Sequence, residues 1–496
     1  MSVKMYTMVC DRCSIRPTCG RPWSSKQQGN GHKANRRNVA LHMCSARTDN
    51  VMATVSPSDI EDPWLAQVAS VALDGTQSPA MKGLNDVCAS AVKSLRVPTT
   101  RNEEYRFTDL SCLTGLDACV PETPTEDMVT EVASKSTLKC DSIRIVLVNG
   151  QVHAVDTRAV QLPSNVYVGP AANAPGDVLK FSLGAQSKTR GGPFATLNGA
   201  SAKDCAVIYI PEDCNLEAPI HIINISSGGK DGNTIAFSSP RTLVFLESGA
   251  SAQLVEEYVT LNVSGNGTYA SIPVTEIELD DNASLSHKFV ELEDENAINL
   301  KSTLVSQGTE SSYSLIEVRL GGKLSRHDAS IVQLGERTST EMKHFILAGE
   351  DQLHDLHTKL ALDHPEGTAD QIHKCIAATD SSKGVFDGNV KVNRMAQRTD
   401  AGQLSKNLLL APKATVNVKP NLQIIADDVK CTHGCTVSDL EEEQLFYLQA
   451  RGIDPMTARK MLVYSFGGEV IQRLEDPSLT DRVQEQATES LNKVFN

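Results

Sequence analysis

The spacing of hydrophobic residues predicts strands through the centre of the chain. From Ile143 to Val437, short runs rich in Val, Ile and Leu recur every 10–15 residues, with Gly, Asn, Asp and Ser between them. Such runs are typical of short strands, and no helical stripe is evident between them, which argues against a βαβ architecture. A sandwich, a barrel or a β-solenoid remains. Because a solenoid lengthens without enlarging its cross-section, the pattern favours a mainly β protein with a parallel β-helix core over 136–437.

A helical region is predicted before this core, over residues 53–135. Ser58 and Glu61 have the spacing of a capping box for one helix, and a second helix begins at Pro79. The second helix carries an apolar stripe in which Cys88 is expected to be a core residue.

Two further features are expected within the same region. Residues 101–110 are predicted to form a capped turn in which Tyr105 and Phe107 pack inward, and the alternative is that the charges of this segment bind a partner. Residues 121–135 are acidic and are predicted to be a linker.

After the core, the apolar spacing becomes helical and predicts a C-terminal helical region over 438–496. A capping box is expected at Ser438 with Glu441, and the helix that it begins should end at Gly452. A second helix is expected to start at Asp454–Pro455 and to break at Gly467–Gly468. A last helix is expected from about Glu469 to Phe495. Short helices need a surface on which to bury their stripes, which is either the solenoid or another protein.

Charge is distributed unevenly along the chain, whose formal net charge is −14. Residues 1–48 hold nine Lys or Arg and one acidic residue, which gives about +8 and leaves about −22 for the rest. A body this acidic disfavours nucleic acid as a partner, because phosphates are repelled. No apolar run is long enough to span a membrane, so no membrane association is predicted.

The basic start of the chain is predicted to be an organelle transit peptide over residues 1–52. It contains several Ser and lacks the continuous apolar stretch of a secretory signal. Cys10 and Cys13 with Cys19 suggest a zinc knuckle, a weaker alternative because no second pair follows nearby. The thirteen cysteines of the chain are scattered, which indicates free thiols in a reducing compartment.

Motifs of common enzyme classes are absent from the sequence. It has no GxxxxGK[ST] phosphate loop, no HExxH and no GxSxG. The carboxylate pairs Asp280–Asp281 and Asp427–Asp428 consist of adjacent residues, which would point to opposite faces of a strand and are more simply turn residues. The chain is therefore predicted not to be an enzyme, with a polysaccharide-active β-helix enzyme as the alternative.

A group of histidines and a cysteine–histidine pattern are the candidates for metal chemistry. The histidine group consists of His344, His354, His357, His364 and His373, and its spacing fits no zinc pattern. These residues are therefore expected to be surface histidines or ladder histidines, which are hydrogen-bonded between neighbouring strands, rather than a metal site. In Cys431-Thr-His433-Gly-Cys435, residues two apart share a face of a strand, and thiolate and imidazole both suit iron. The alternative is that the cysteines are small apolar fillers and that His433 is hydrogen-bonded.

The same stretch resembles the SufD proteins, subunits of the SufBCD iron–sulfur cluster assembly complex in the SufB/SufD family. The resemblance covers most of the chain after residue 50 and rests on Ala426–Val437, Leu440–Ile453, Phe386–Val390, Ala396–Asp400, Gln403–Leu410 and, more weakly, Pro98–Leu110. It implies a right-handed β-helix core and assigns the transit peptide to the plastid, with the chloroplast stroma as destination. The paralogous SufB subunit is the alternative, although Asn407–Leu410 leads to Cys431 in an arrangement unlike that of SufB.

The resemblance also implies a role and a site. The chain would be a non-catalytic scaffold that pairs with a SufB-like subunit and docks a SufC-like ATPase, and a homodimer is a candidate state of the isolated chain. His433 matches the family's Cys/Ser-x-His-Gly motif and would hold iron or a transient cluster at the SufB–SufD interface, with no stably bound cofactor. Cys431 and Cys435 are additional candidate ligands, although the family often has Ala at the second position. The expected contacts with the ATPase are Leu445, Phe446, Leu448 and Tyr464.

Overall fold

Short parallel strands, stacked in coils, form the centre of the protein in a computed structural model that describes residues 62–72, 77–229, 234–263 and 267–495. The predicted transit peptide and the capping box at Ser58 and Glu61 lie outside these residues. In chain order the strands are β1 (Asp117–Cys119), β2 (Ile143–Val148), β3 (Gln151–Asp156), β4 (Tyr167–Pro170), β5 (Ala206–Ile210), β6 (Ile220–Ser227), β7 (Thr234–Ser238), β8 (Arg241–Leu246), β9 (Ser251–Leu261), β10 (Thr268–Ser271), β11 (Val274–Leu279), β12 (Ser284–Leu292), β13 (Ala297–Gln307), β14 (Ser312–Arg319), β15 (Leu324–Gln333), β16 (Ser339–Ala348), β17 (Leu353–Leu362), β18 (Thr368–Ala377), β19 (Lys383–Val392), β20 (Asp400–Leu409), β21 (Thr415–Ile424) and β22 (Lys430–Ser438).

From β11 onward, successive strands alternate between two sheets, so that each coil adds one strand to each sheet. Sheet A runs in the order β21-β19-β17-β15-β13-β11-β8-β5-β4, with β1, β7 and β10 beside this path. Sheet B runs in the order β22-β20-β18-β16-β14-β12-β9-β6-β2-β3. From β5 onward, register partners on neighbouring parallel strands are from 26 residues apart (Ile298 and Leu324) to 36 apart (Ala206 and Thr242). This β-solenoid of about 7 turns confirms the predicted fold class.

The interior of the first coils is aliphatic. Ile145 and Ile222 on sheet B and Ile208 and Val244 on sheet A belong to one buried cluster that follows the axis of the solenoid. Burying each such side chain contributes about 1.5–3 kcal/mol, so the early coils supply much of the driving force for folding.

Antiparallel strands close the first end of the solenoid. The hairpin between β2 and β3 turns at Asn149 and Gly150, which both have positive φ (49° and 82°), as a tight hairpin turn requires. β4 covers β5 in the same way, because these two strands are also antiparallel. The other end is formed by β21 and β22, the terminal strands of the two sheets.

Among the described residues, seven α-helices accompany the early part of the solenoid: α1 (Pro63–Ala72), α2 (Lys82–Val92), α3 (Ser111–Thr114), α4 (Glu126–Lys135), α5 (Gly176–Ser182), α6 (Ser187–Arg190) and α7 (Pro193–Ser201). α1, α2 and α7 bury residues against the outer face of sheet A, and Cys88 lies in that core as predicted. The start of α1 is capped by Asp62, whose Oδ1 accepts bonds from the amides of Trp64 and Leu65 (3.1 and 3.3 Å).

Two stretches differ from the sequence-based expectation. α4 occupies most of the predicted linker, because Val129 and Ala133 bury a short stripe against the outer face of sheet B. α5–α7 interrupt the strand-rich segment, which was expected to contain no helix. Their apolar residues, such as Phe194 and Leu197, are buried against sheet A, and packing rather than a long periodic stripe therefore stabilises them.

The predicted turn at residues 101–110 is half correct. Tyr105 is buried beneath the guanidinium of Arg326, 4.0 Å from its ring centre, whereas Phe107 is exposed. Thr108 donates a 2.5 Å hydrogen bond to Asp355, and the same carboxylate also binds Arg326. The segment is therefore fixed to the outside of sheet A.

The C-terminal helices α8 (Glu442–Gln449), α9 (Pro455–Ile471) and α10 (Pro477–Phe495) follow the last strand. α9 and α10 cover the outer face of sheet B, with Leu479, Val483, Ala487 and Leu491 forming the buried stripe of α10. None of the described helices is long and apolar enough to cross a membrane.

Of the four predicted helix signals in this region, two are wrong and two are confirmed. One of the confirmed signals is the helix end at Gly452, which has a positive φ (86°) just after α8. The predicted capping box is wrong, because Glu441 is the N-cap of α8 and its side chain makes no capping bond. The predicted break at Gly467–Gly468 is also wrong, since α9 continues through both glycines. The helix start at Asp454–Pro455 is confirmed by the bonds that Asp454 accepts from the amides of Met456 and Thr457.

Candidate functional site

The predicted metal-binding stretch forms β22, the last strand of sheet B. Cys431, His433 and Cys435 pair in register with Ala401, Gln403 and Ser405 of β20, whose side chains are buried in the solenoid. Cys431 also packs against the aliphatic interior. The three predicted residues therefore share the inward face, as their spacing predicted, and lie half-buried where the solenoid ends.

These three side chains do not form a complete metal site. Same-face neighbours on a strand are about 7 Å apart, so Cys431 and Cys435 are separated by about 13 Å along β22. Within the described parts of the chain, no group of three His, Cys, Asp or Glu is arranged to hold a metal ion. His433 can therefore supply one ligand, and either cysteine would have to act with groups from elsewhere.

The two thiols and the imidazole of the site are all partly buried. Burial raises the pKa of Cys431, to which the nearby Asp400 carboxylate adds, and burial alone raises the pKa of Cys435. Both thiols are accordingly protonated at neutral pH. His433 Nδ1 is buried and has no hydrogen-bond partner among the described residues.

The histidine group is dispersed through the later coils. His364 is exposed in a turn, whereas the other four are buried. His344 Nδ1 lies 2.8 Å from Glu317, and His373 Nδ1 lies 3.1 Å from Ser405. His357 Nε2 lies 2.9 Å from Asp355. His344 and His373 are therefore hydrogen-bonded to neighbouring strands, as ladder histidines are, and His357 pairs with a carboxylate of its own strand. The interpretation does not extend to His354, which is buried with no hydrogen-bond partner for either ring nitrogen among the described residues. The adjacent carboxylates at 280–281 and 427–428 lie between strands.

A buried charge cluster in the middle coils was not predicted from the sequence. Lys301 donates to Glu256 (2.7 Å), and His287 Nε2 lies 3.0 Å from the same carboxylate. Burial alone would raise the pKa of Glu256, but the Lys301 ammonium and His287 outweigh it and hold the pKa below its ordinary value. Thr275 donates to the second carboxylate oxygen (2.8 Å), so that the charge is fully paired.

A second buried cluster lies closer to the last coil and centres on Glu317. Its Oε2 is 2.8 Å from Nδ1 of both His327 and His344, and Arg319 lies 2.7 Å from Oε1. Burial opposes ionisation, yet these three groups hold the pKa of Glu317 well below its usual range. The only available signal in the sequence was polar residues at inward positions of otherwise apolar strands, and it needs the coil register to be interpreted.

The predicted ATPase contacts differ in exposure. Phe446 is 73% exposed, Leu445 and Leu448 are half-buried, and Tyr464 packs on the cluster beneath α9 while its hydroxyl donates to Asn492 (3.1 Å). The exposed apolar surface of these helices, named here the α8–α9 patch, consists of Phe446, Tyr447, Met456 and Met461.

Comparison with known proteins shows which protein family the chain resembles. Residues 226–466 match the model "SUF system FeS cluster assembly, SufBD core domain", and residues 65–222 match the "SufBD protein N-terminal region". The chain is 39% identical over 447 residues to protein ABCI7, chloroplastic, of Arabidopsis thaliana, covering 88% of this chain and 93% of that protein. An iron–sulfur cluster assembly SufBD family protein of Synechocystis sp. is 33% identical (88% and 97% covered), and SufD of Escherichia coli is 28% identical (78% and 88% covered).

Proposed function

Since the chain belongs to the SufBD family of iron–sulfur cluster assembly proteins, we propose that it is a SufD-type scaffold subunit without catalytic activity of its own. The observation that carries this proposal is the open end of the solenoid. There the terminal strands of both sheets lie together with a half-buried imidazole, His433, on the inward face.

The open end is proposed as the surface that pairs with a SufB-like subunit. A terminal strand offers backbone donors and acceptors to another strand, and natural proteins usually cover such edges. Ile424, Ile425 and Val437 are exposed at this end, which supports burial against a partner. In isolation, the same edges could pair with a second copy of the chain.

Iron or a transient iron–sulfur cluster is the proposed cargo at this boundary. His433 would contribute one imidazole ligand, and the remaining ligands would come from the partner, because Cys431 and Cys435 lie too far apart to hold one ion together with each other. Either cysteine would have to lose its proton before it could act as a ligand.

The α8–α9 patch is proposed as the docking surface for a SufC-like ATPase. Exposed aromatic and Met side chains are characteristic of protein interfaces. Of the residues expected from the sequence, Phe446 fits this role best, whereas Tyr464 is already engaged with α10. A plastid location is proposed from the transit-like composition of residues 1–52 and from the chloroplastic name of the Arabidopsis relative.

The cargo proposal is tested with His433→Ala in the complex co-expressed with SufB-like and SufC-like proteins. The variant should assemble the complex but lose most of its iron and sulfide, measured per complex after anaerobic purification. Thr432→Ala, which alters the neighbouring outward position of the same strand, is the matched control. An unchanged cluster yield in His433→Ala would show that His433 has no role in assembly.

The two interfaces are tested by separate pairs of variants. Ile425→Asp should weaken copurification with the SufB-like subunit, whereas Leu334→Asp, in the corresponding turn of a middle coil and equally exposed, should not. Phe446→Ala should weaken binding of the SufC-like ATPase, and Phe181→Ala, an exposed aromatic in α5, is its control. Equal effects of variant and control would contradict the corresponding interface.

A further inference from the structure

The interior behind His433 contains a chain of side-chain amides that crosses the solenoid. Gln371 Nε2 donates to Thr358 Oγ1 (2.9 Å), and Gln403 Nε2 donates to Gln371 Oε1 (2.9 Å). Thr358 belongs to sheet A, and both glutamines belong to sheet B. The chain therefore fixes the position of the Gln403 amide directly behind the last strand.

Two buried polar atoms without a hydrogen-bond partner belong to neighbouring residues where this amide chain ends. Gln403 and His433 are register partners on neighbouring parallel strands, whose spacing is about 4.8 Å, and both side chains are on the inward face. Gln403 Oε1 and His433 Nδ1 are both buried, and neither has a hydrogen-bond partner among the residues that the structure describes. An acceptor and a ring nitrogen left unpaired in this way are costly unless they bond to each other, directly or through a water molecule.

The space for the amide is provided by a glycine on the opposite sheet. A Cβ at Gly388 would lie within van der Waals overlap of Gln403 Nε2 and of Phe386 Cζ. Any larger residue at this position would therefore displace the Gln403 side chain. This contact gives a reason for the glycine in the Phe386–Val390 segment and for Gln403 in the Gln403–Leu410 segment, to which the proposed function assigns no role.

We propose that Gln403 is the positioning residue for His433: Gln403 Oε1 accepts a hydrogen bond from His433 Nδ1–H, which keeps the proton on Nδ1 and leaves Nε2 unprotonated to bind iron. The chain Thr358–Gln371–Gln403 supplies the fixed orientation, because Gln371 accepts from Gln403 Nε2 and so directs Oε1 toward β22. Partners of this kind set the tautomer and ring orientation of histidine ligands, and their loss usually costs 10-fold to 100-fold in metal affinity. The inference rests on the proposed function for its iron-binding part only.

The tautomer is the first test, because it does not require cluster assembly. In the full chain with 15N-labelled histidine, the ring nitrogens of His433, assigned with His433→Ala, should show the proton on Nδ1. Gln403→Met keeps the shape of the side chain but removes the acceptor, and should shift the proton toward Nε2. Gln403→Glu keeps the acceptor and should retain the Nδ1 proton. A proton mainly on Nε2 in the unaltered chain, or an identical tautomer in Gln403→Met, would overturn the proposal.

The second test measures iron and sulfide in the complex with SufB-like and SufC-like proteins. Gln403→Met should lower the cluster content about 10-fold without loss of complex, and Gln403→Glu should restore most of it. Gly388→Ala acts on Gln403 from the opposite sheet and should give the same loss together with the same tautomer shift. If Gln403→Met changes the tautomer while His433→Ala leaves the cluster content intact, the positioning role is supported and the proposed function of His433 fails. If His433→Ala abolishes the cluster but Gln403→Met does not alter it, the positioning role is refuted.

Discussion

At the first end of the solenoid antiparallel strands cover both sheet edges and the interior is aliphatic, whereas at the last end β21 and β22 are terminal and the inward face of sheet B is polar. Ile145 and Ile222 are fully buried, but Cys431, His433 and Cys435 are only half-buried in the equivalent layer. The middle coils lie between these extremes, because they bury charged pairs such as Lys301 with Glu256 and Arg319 with Glu317 among their apolar side chains. The difference indicates that stability is concentrated in the first two regions and is lower in the last coil.

The largest expected effect comes from breaking the charge cluster of the middle coils. Lys301→Met should leave the Glu256 carboxylate buried without its main partner and cost about 3–5 kcal/mol of unfolding free energy, measured by urea denaturation. The double variant Lys301→Met with Glu256→Gln should recover much of this loss. Gln403→Met at the open end should cost about 1 kcal/mol. Equal losses in the two single variants would remove the distinction between the regions.

The pH dependence of stability separates the regions further. Burial raises the pKa of Glu293 to about 7, although Asn299 and Tyr269 donate hydrogen bonds to its carboxylate. The folded chain therefore binds this proton more tightly than the unfolded chain, in which the group titrates near 4.5. Its contribution to stability is complete below pH 4.5 and is lost as the pH rises through 7.

Glu293→Gln removes this dependence. Relative to the unaltered chain, the variant should gain up to about 3 kcal/mol of unfolding free energy between pH 5 and pH 8, measured by urea denaturation at each pH. Glu295→Gln, an exposed neighbour, should leave the dependence unchanged. If the pH dependence of the unaltered chain persists in Glu293→Gln, the titration belongs to another group.

Two adjacent glycines test how the C-terminal helices hold the coils from outside. A Cβ at Gly467 would overlap the ring of Phe345 on β16, whereas a Cβ at Gly468 would meet open space. Gly467→Ala should therefore cost about 1–3 kcal/mol, and Gly468→Ala should stabilise α9 by up to about 1 kcal/mol. Thermal unfolding of both variants checks the prediction. A loss of similar size in Gly468→Ala would show that helix flexibility, not the Phe345 contact, determines the effect.

The smallest effect is expected at the turns that follow the sheet A strands. Four successive turns each place one charged residue in the left-handed region, and the sign of the charge alternates along Glu310, Arg337, Glu366 and Arg398. Arg337 forms a 2.6 Å ion pair with Glu310, yet both side chains are substantially exposed. Arg337→Gln should change the unfolding free energy by at most about 0.5 kcal/mol, and the difference should vanish at 1 M salt. A larger change would mean that the four charged turn residues stabilise the protein together as a network.

The repeating strands were predictable because each run of Val, Ile and Leu faces the same kind of interior. The last strand was predictable in detail, since the alternation from Val429 to Val437 determines which side chains share a face. The charge clusters were not, because the coil length varies from 26 to 36 residues and the sequence does not say that Glu317 lies beside His344. The helix α9 was misjudged at Gly467 because the contact that requires a glycine there is with a residue more than one hundred positions away.

The arrangement of the outer layer imposes an order on synthesis. The outward face of sheet B, including Val290, Val318, Phe345 and Ile376, is covered by α9 and α10, which are synthesised after every strand that they cover. A nascent chain that has not yet reached Pro455 would therefore expose these apolar side chains to solvent, and the outer face of sheet B becomes buried only when α9 and α10 have emerged and docked.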